Sequence, residues 1–301
     1  MILEKSILGE SAALATAVCW TITAIAFEFA GKKVGSLPVN LIRLIFAFFI
    51  IGIFSYFRKG LFFASDASLE AWIWLPISGI IGFVIGDLLL FQAFVVIGAR
   101  VSMLIMALTP PIAAFFGWLI LNEHMSAINF IGMAVTISGI AMVILAKEHS
   151  KGPIKMKYPV KGVLLAFGGA VGQGLGLVFS KLGMKDYDPF LATQIRILAG
   201  IAGFSVLFFA LNKWKNVFAA FRDKKAMTSI SIGSVFGPFL GVSLSLLSIQ
   251  HTTTGIASTI MAIVPVLIII PSVVVFKERI TPKEITGAVI AFVGVVMFFV
   301  F

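Results

Sequence analysis

The sequence predicts an all-α integral membrane protein of ten transmembrane helices, arranged as two inverted five-helix repeats. Three observations predict it. The 301 residues are 60% hydrophobic and only 12% charged, with a mean hydropathy of +1.10. Soluble domains carry roughly 25% charged residues, so this chain has too little charge to cover a globular surface, and lipid is its natural solvent. The apolar residues fall into ten runs, each of the length one helical crossing needs, about 20 residues. Finally, the chain repeats itself. Pro110, Glu123, Gly132 and Gly139 recur as Pro265, Glu278, Gly287 and Gly294, each 155 residues later (110 to 265, and the same step for the others). Ile105-Met106-Ala107 returns as Ile260-Met261-Ala262, and Gly82 and Gly86 return as Gly237 and Gly241.

The runs lie at about 11–30, 38–57, 71–94, 98–120 and 126–146 in the first half, and at 160–181, 189–211, 229–249, 255–276 and 282–301 in the second. Strands of a membrane barrel are about 10 residues long and alternate in polarity, so these runs are helices. The first run follows Glu4, Lys5 and Glu10 and lacks the basic leader and small-residue cleavage site of a signal peptide, so it reads as a retained helix. The fifth and tenth open on N-terminal helix signals, Ser126 and Thr281-Pro282. The sixth holds a glycine-rich stretch, Gly168 to Gly176, that reads as a helix-packing face. The segment from Asn212 to Lys225 sets Trp214, Val217, Phe218 and Phe221 against Lys215, Arg222 and Lys224, as an interfacial helix does. Residues 8–146 thus form the first repeat, 147–159 a polar linker containing Gly152, Pro153 and Pro159, and 160–301 the second repeat. Five is odd, so the second repeat enters the membrane from the opposite side.

Composition also excludes. Cys19 is the single cysteine and His124, His149 and His251 are scattered, so the chain offers no disulfide and no metal site. No glycine-rich turn ends in Gly-Lys-Ser/Thr, so no nucleotide loop is present, and no cofactor is expected. The net charge of +10 comes from Lys and Arg flanking the apolar runs, which argues for topology anchors and against a nucleic-acid partner. Most of these cations fall on the side opposite the termini, and the positive-inside rule then places the termini outside the cytoplasm.

The stretch Gly86-Asp87-Leu88-Leu89-Leu90-Phe91-Gln92-Ala93-Phe94, then Gly98-Ala99-Arg100-Val101-Ser102, Pro110 and Asn122-Glu123, resembles the second part of an EamA domain. So does Thr254-Gly255-Ile256-Ala257-Ser258-Thr259 with Pro265, Lys277-Glu278-Arg279-Ile280-Thr281 and Gly287. Trp20 in the first helix, and Arg43 or Arg196 entering the second helix of each half, fit its beginning. Nearly the whole chain is similar to two EamA domains of the drug/metabolite transporter superfamily. The resemblance implies a multi-pass carrier of the bacterial inner membrane, often an exporter of amino acids or related metabolites. It also implies a central cavity between the halves, alternating access, and termini in the cytoplasm, the reverse of what the charge count gives.

A carrier needs polar groups at membrane depth, where they are costly. Asp87, late in the third helix, is the foremost candidate, able to bind a substrate amine or a coupling proton; the competing reading is a helix-end carboxylate paired with a base such as Arg100. Trp20 and Thr21, with Gln173 opposite by the Gly31–Gly183 match, can line the cavity, as can Gln92, Ser102, Ser258 and Thr259. Glu28, spaced i, i+4 from Lys32, and the repeat pair Arg43 and Arg196 suit gating or architecture. Pro110 and Pro265 kink their helices and can act as paired hinges. Glu123 and Glu278 are expected to accept bonds from the start of the next helix.

The function these features predict is secondary transport of small organic metabolites, with lipid and a small-molecule substrate as partners and protons as a possible coupling ion. A channel or structural subunit is the first alternative. A lipid-modifying enzyme would need clustered His, Asp or Ser groups at the interface, and the sequence has none.

Overall fold

The computed structural model describes residues 2–121, 126–147, 154–251, 257 and 260–300. Helix α1 (Ile2–Val34) is 33 residues long, which is more than one bilayer crossing. It turns at Gly35, whose φ of 88° suits a glycine, into α2 (Ser36–Lys59). Gly60 closes α2 in the left-handed conformation, its N–H donating to the Tyr56 carbonyl at 2.8 Å. Helix α3 (Leu69–Ile97) starts where Ser68 Oγ accepts from the Ala71 amide. Helices α4 (Ala99–Ile120) and α5 (Ala127–Ile144) complete the first half. The second half comprises α6 (Val160–Met184), α7 (Pro189–Ala210), the short α8 (Trp214–Ala220), α9 (Lys224–His251), α10 (Val264–Phe276) and α11 (Pro282–Val300). Between the halves, β1 (Leu145–Lys147) pairs antiparallel with β2 (Ile154–Met156), a short ladder at the expected polar linker.

Eight helices among the described residues are long and apolar enough to cross a membrane: α1 to α7 and α9. The expected run 255–276 is described only at 257 and from 260 onward, and its helix α10 is shorter than a crossing. Helix α11 adds 19 residues. Outward-facing side chains such as Phe57, Phe209, Ile270 and Val274 are largely exposed, as a surface solvated by lipid requires.

Both long helices of hairpin-like position, α3 and α9, contain a π-helical segment at equivalent places: Ile80–Gly86 and Val235–Gly241, again 155 residues apart (80 to 235). The packing is reciprocal under exchange of the halves. Helix α1 packs on α9, and its counterpart α6 on α3; α2 meets its own counterpart α7, and α5 meets α11. Small residues permit the closest approaches. A Cβ on Gly172 would lie 2.6 Å from Gly86 Cα, and one on Gly139 would lie 2.4 Å from the Ala291 nitrogen. The amphipathic segment is split: Val217 is buried and Trp214 packs on Phe208 and Phe209, whereas Phe218 and Phe221 face outward.

Candidate functional site

A cavity of about 170 Å³ opens between the two halves. Helices α1, α2, α3 and α4 of the first half and α6, α7, α9 and α10 of the second line it; α5 and α11 supply no lining residue among those described. The π segments help to shape it. A π turn shifts the register of the side chains that follow it, and Asp87 is the residue that immediately follows the first. The second carries Gly237 and Pro238 into the wall.

Among the described residues, three charged ones line the cavity: Arg43, Asp87 and Arg196, each about 95% or more buried by their exposures of 3%, 5% and 4%. Arg43 Nη2 forms an ion pair with Asp87 Oδ2. The other carboxylate oxygen, Oδ1, accepts from Gln173 Nε2 at 2.5 Å, and the same amide nitrogen reaches the Gly82 carbonyl at 3.2 Å. Asn40 holds the arginine from behind, with its Oδ1 accepting from Arg43 Nε at 3.3 Å while its Nδ2 donates to the Asp87 carbonyl at 3.3 Å. The Arg43 guanidinium lies 4.5 Å from the Phe91 ring centre. Buried charges persist when paired and hydrogen-bonded in this way.

Arg196 is placed differently. Its guanidinium lies 4.7 Å from the centre of the Phe83 ring, a cation–π contact. Its Nε is buried without an acceptor among the described residues. At the repeat position of Asp87, the second half has Val242, also in the cavity wall.

The structure brings Trp20, Asp87, Gln173, Arg43, Arg196, Pro110 and Pro265 together around this one space. It leaves three of the expected cavity-lining residues outside it. Thr21 Oγ1 donates to the Ala17 carbonyl one turn back at 2.9 Å, and Thr23, two residues on, faces the cavity instead. Gln92 accepts from Ser36 Oγ at 2.7 Å, tying α3 to α2. Ser102 donates to the Gly98 carbonyl at 2.8 Å. Ser258, Thr259 and Glu123 lie outside the described residues. Sequence reasoning missed Phe83, Phe91, Met103, Met106 and Ser245, which are unremarkable in a chain so rich in apolar residues. The recurrence of Gly82 and Gly86 at Gly237 and Gly241 was the available signal for the π segments.

Arg100 is not the partner of Asp87. It belongs to a second charged cluster, at the end of the molecule where α1 and α3 finish and α11 begins. Arg100 Nε donates to Glu278 at 2.7 Å, and its Nη1 lies 3.5 Å from Glu284 Oε1. The same Glu284 oxygen accepts from Lys157 Nζ at 2.7 Å and from the Tyr158 hydroxyl at 2.8 Å. Burial and the neighbouring Glu284 carboxylate push the Tyr158 phenol above its ordinary value. Glu28 pairs with Lys32 as its spacing suggests, and it also accepts from the Ala99 amide at 2.6 Å, closing the turn between α3 and α4. The bond expected of Glu278 to the start of the next helix is made by Glu284, which accepts from the Thr281 amide at 2.8 Å. Among the described residues no cluster of three or more His, Cys, Asp or Glu is placed to hold a metal ion.

The comparisons with known proteins follow this architecture. The model of the EamA-like transporter family matches residues 7–145 and 160–300. An uncharacterized transporter of Bacillus subtilis (strain 168), YvbV, is 26% identical over 179 residues, which is 59% of this chain and 55% of that protein. An uncharacterized transporter of Archaeoglobus fulgidus is 27% identical over 126 residues, 41% of this chain and 42% of its own length. The chain thus spans about half the length of the curated relatives it matches. A protein crystal structure, 14% identical, superposes with a TM-score of 0.62 over 96% of this chain and 95% of that one, a likeness of fold.

Proposed function

The chain belongs to the EamA-like transporter family, and on that premise we propose that it is a secondary carrier of small organic metabolites, exporting them by alternating access. Ten crossings in two inverted repeats are part of the proposal, with α10 counted in the ninth. One observation carries it: charged side chains from both halves, Arg43 and Asp87 from one and Arg196 from the other, converge on a cavity between them. Charge buried at such depth is costly and marks a substrate or ion path. The two π segments beside the cavity fit this reading, since π turns inside α-helices are frequent at functional sites.

The reading also gives the two charged clusters separate tasks. Arg43, Asp87, Gln173 and Arg196 meet the substrate. Arg100, Glu278, Glu284, Lys157 and Tyr158 seal one end, and alternation requires those bonds to break and re-form. Pro265 lines the cavity and also contacts the small space next to Arg100 and Glu284, so a bend at this proline would link the two.

The test is transport by the purified full-length chain in proteoliposomes. The carrier reading expects saturable flux and counterflow of a labelled substrate. Flux that rises linearly with concentration, without counterflow, would favour a channel. A pH gradient across the same vesicles tests proton coupling.

A further inference from the structure

We propose that the cavity takes an organic monoanion, a small carboxylate with an apolar or aromatic body, and that Arg196 is its anchor. This rests on the carrier reading given above for the same site. Among the described residues, two guanidinium groups and one carboxylate line the cavity, a net charge of one positive. Asp87 is already engaged, with one oxygen paired to Arg43 and the other accepting from Gln173, so a ligand cation there would compete with Arg43. Arg196 is 4% exposed, faces the same space and has a buried Nε with no acceptor among the described residues.

A buried guanidinium N–H without an acceptor is costly, and a carboxylate matches the planar fork with two parallel bonds. The rest of the wall decides what the carboxylate is attached to. Trp20, Phe91, Phe94, Met103 and Met106 offer rings and sulfur but no further charge. Apolar cavities of about 150 Å³ accommodate a benzene-sized molecule, and this one is about 170 Å³. An α-amino group on the ligand would meet net positive charge and no free carboxylate. The site therefore favours an acid over the corresponding amino acid, and disfavours an amine.

The experiment uses three probes that share one ring: 3-phenylpropanoate, phenylalanine and phenethylamine. Binding to the purified full-length chain is measured by titration calorimetry, and flux is measured in proteoliposomes. The expected result is that the acid binds about tenfold or more tighter than the amino acid, as burial of an added ammonium beside net positive charge implies, and that the amine does not bind. Arg196→Gln should remove the preference for the acid, and Arg196→Lys, which keeps the charge and controls for folding, should keep most of it. Tighter binding of the amine or the amino acid to the unaltered protein, or no binding of the acid, overturns the proposal. Displacement of the acid by an equal concentration of chloride overturns the carboxylate assignment. Acid-selective binding without saturable flux would sink the carrier reading while leaving the anion site standing, and saturable flux of the amine would do the reverse.

Discussion

Arg43 and its repeat counterpart Arg196 lie over the same ring: their guanidinium carbons are 5.7 and 4.7 Å from the centre of Phe83. The first is paired with Asp87, and the second faces a half in which Val242 stands at the Asp87 position. The duplication supplied two arginines, while the single carboxylate satisfies one of them. The cavity draws its character from that imbalance.

Asp87→Asn should destabilise the protein by about 3–5 kcal/mol, because it strips a buried cation of its partner. The double variant Asp87→Asn with Arg43→Met should recover much of that loss, since removing both charges avoids the orphaned one. Thermal unfolding in detergent of the two single variants and the double variant checks this. Equal or additive losses in the double variant would show that the pair does not matter to stability.

Gly172→Ala and Gly139→Ala should both destabilise, by about 1–3 kcal/mol each, since the added Cβ meets backbone in either case. They should differ in function. Gly172 abuts Gly86, the neighbour of Asp87, so its variant should weaken substrate binding as well. Gly139 lies in the α5–α11 contact, away from the cavity, and its variant should leave affinity unchanged. Melting temperatures and binding isotherms of the two variants, read side by side, decide it.

Asp188 links α2 to α7 at the end of the molecule opposite the Arg100 cluster. It caps α7 through the amides of Phe190 and Leu191, at 3.0 and 3.1 Å, and pairs with Arg58 and Lys59. Burial pushes its carboxyl upward, but the Leu191 amide and the two cations outweigh that and hold it below the ordinary value of 3.8. Its contribution is therefore fully present above pH 3.8. It is lost as pH falls from there through the lower folded-state value. Asp188→Asn keeps the cap but loses the ion pairs with the half-exposed Arg58 and Lys59, so it should lower stability by about 0.5–1 kcal/mol at neutral pH and flatten this part of the acid limb. An unchanged acid limb in the variant counts against the assignment.

Arg100→Gln should loosen the end cluster without touching the cavity wall. Transport should change more than equilibrium binding of the substrate. Residues around Glu278 and Glu284 should become more reactive to a water-soluble carbodiimide. Protection equal to that of the unaltered protein would show that Arg100 does not hold this end closed.

Much was legible without tertiary structure, and the reasons are local. A crossing helix must satisfy its own backbone and present apolar side chains to lipid, so composition and run length alone locate the spans. Duplication made the two-repeat plan readable from Pro110 with Pro265 and Gly132 with Gly287. The rarity of charge in such runs singled out Asp87, Arg43 and Arg196, and all three line the cavity. Partners were another matter. Sequence could offer Arg100 to Asp87 because both lie near the same turn, yet Arg43, 44 positions earlier, makes the bond. It could not decide that Thr23 faces the cavity and Thr21 its own helix.

The sequence by itself determined the solvent, the repeat and the short list of polar groups, because each depends on residue type and spacing along one helix. The tertiary structure decided which of those groups meet. That depends on how each helix is rotated and how closely it approaches its neighbours. The determinants are a π turn before Asp87, contact between Gly86 and Gly172, and the Trp20 indole against Gly241 where the other half has only glycine. A rotation of one residue, about 100°, moves a side chain from the cavity to lipid. The pattern of apolar residues, nearly uniform around these helices, carries too little information to fix that angle.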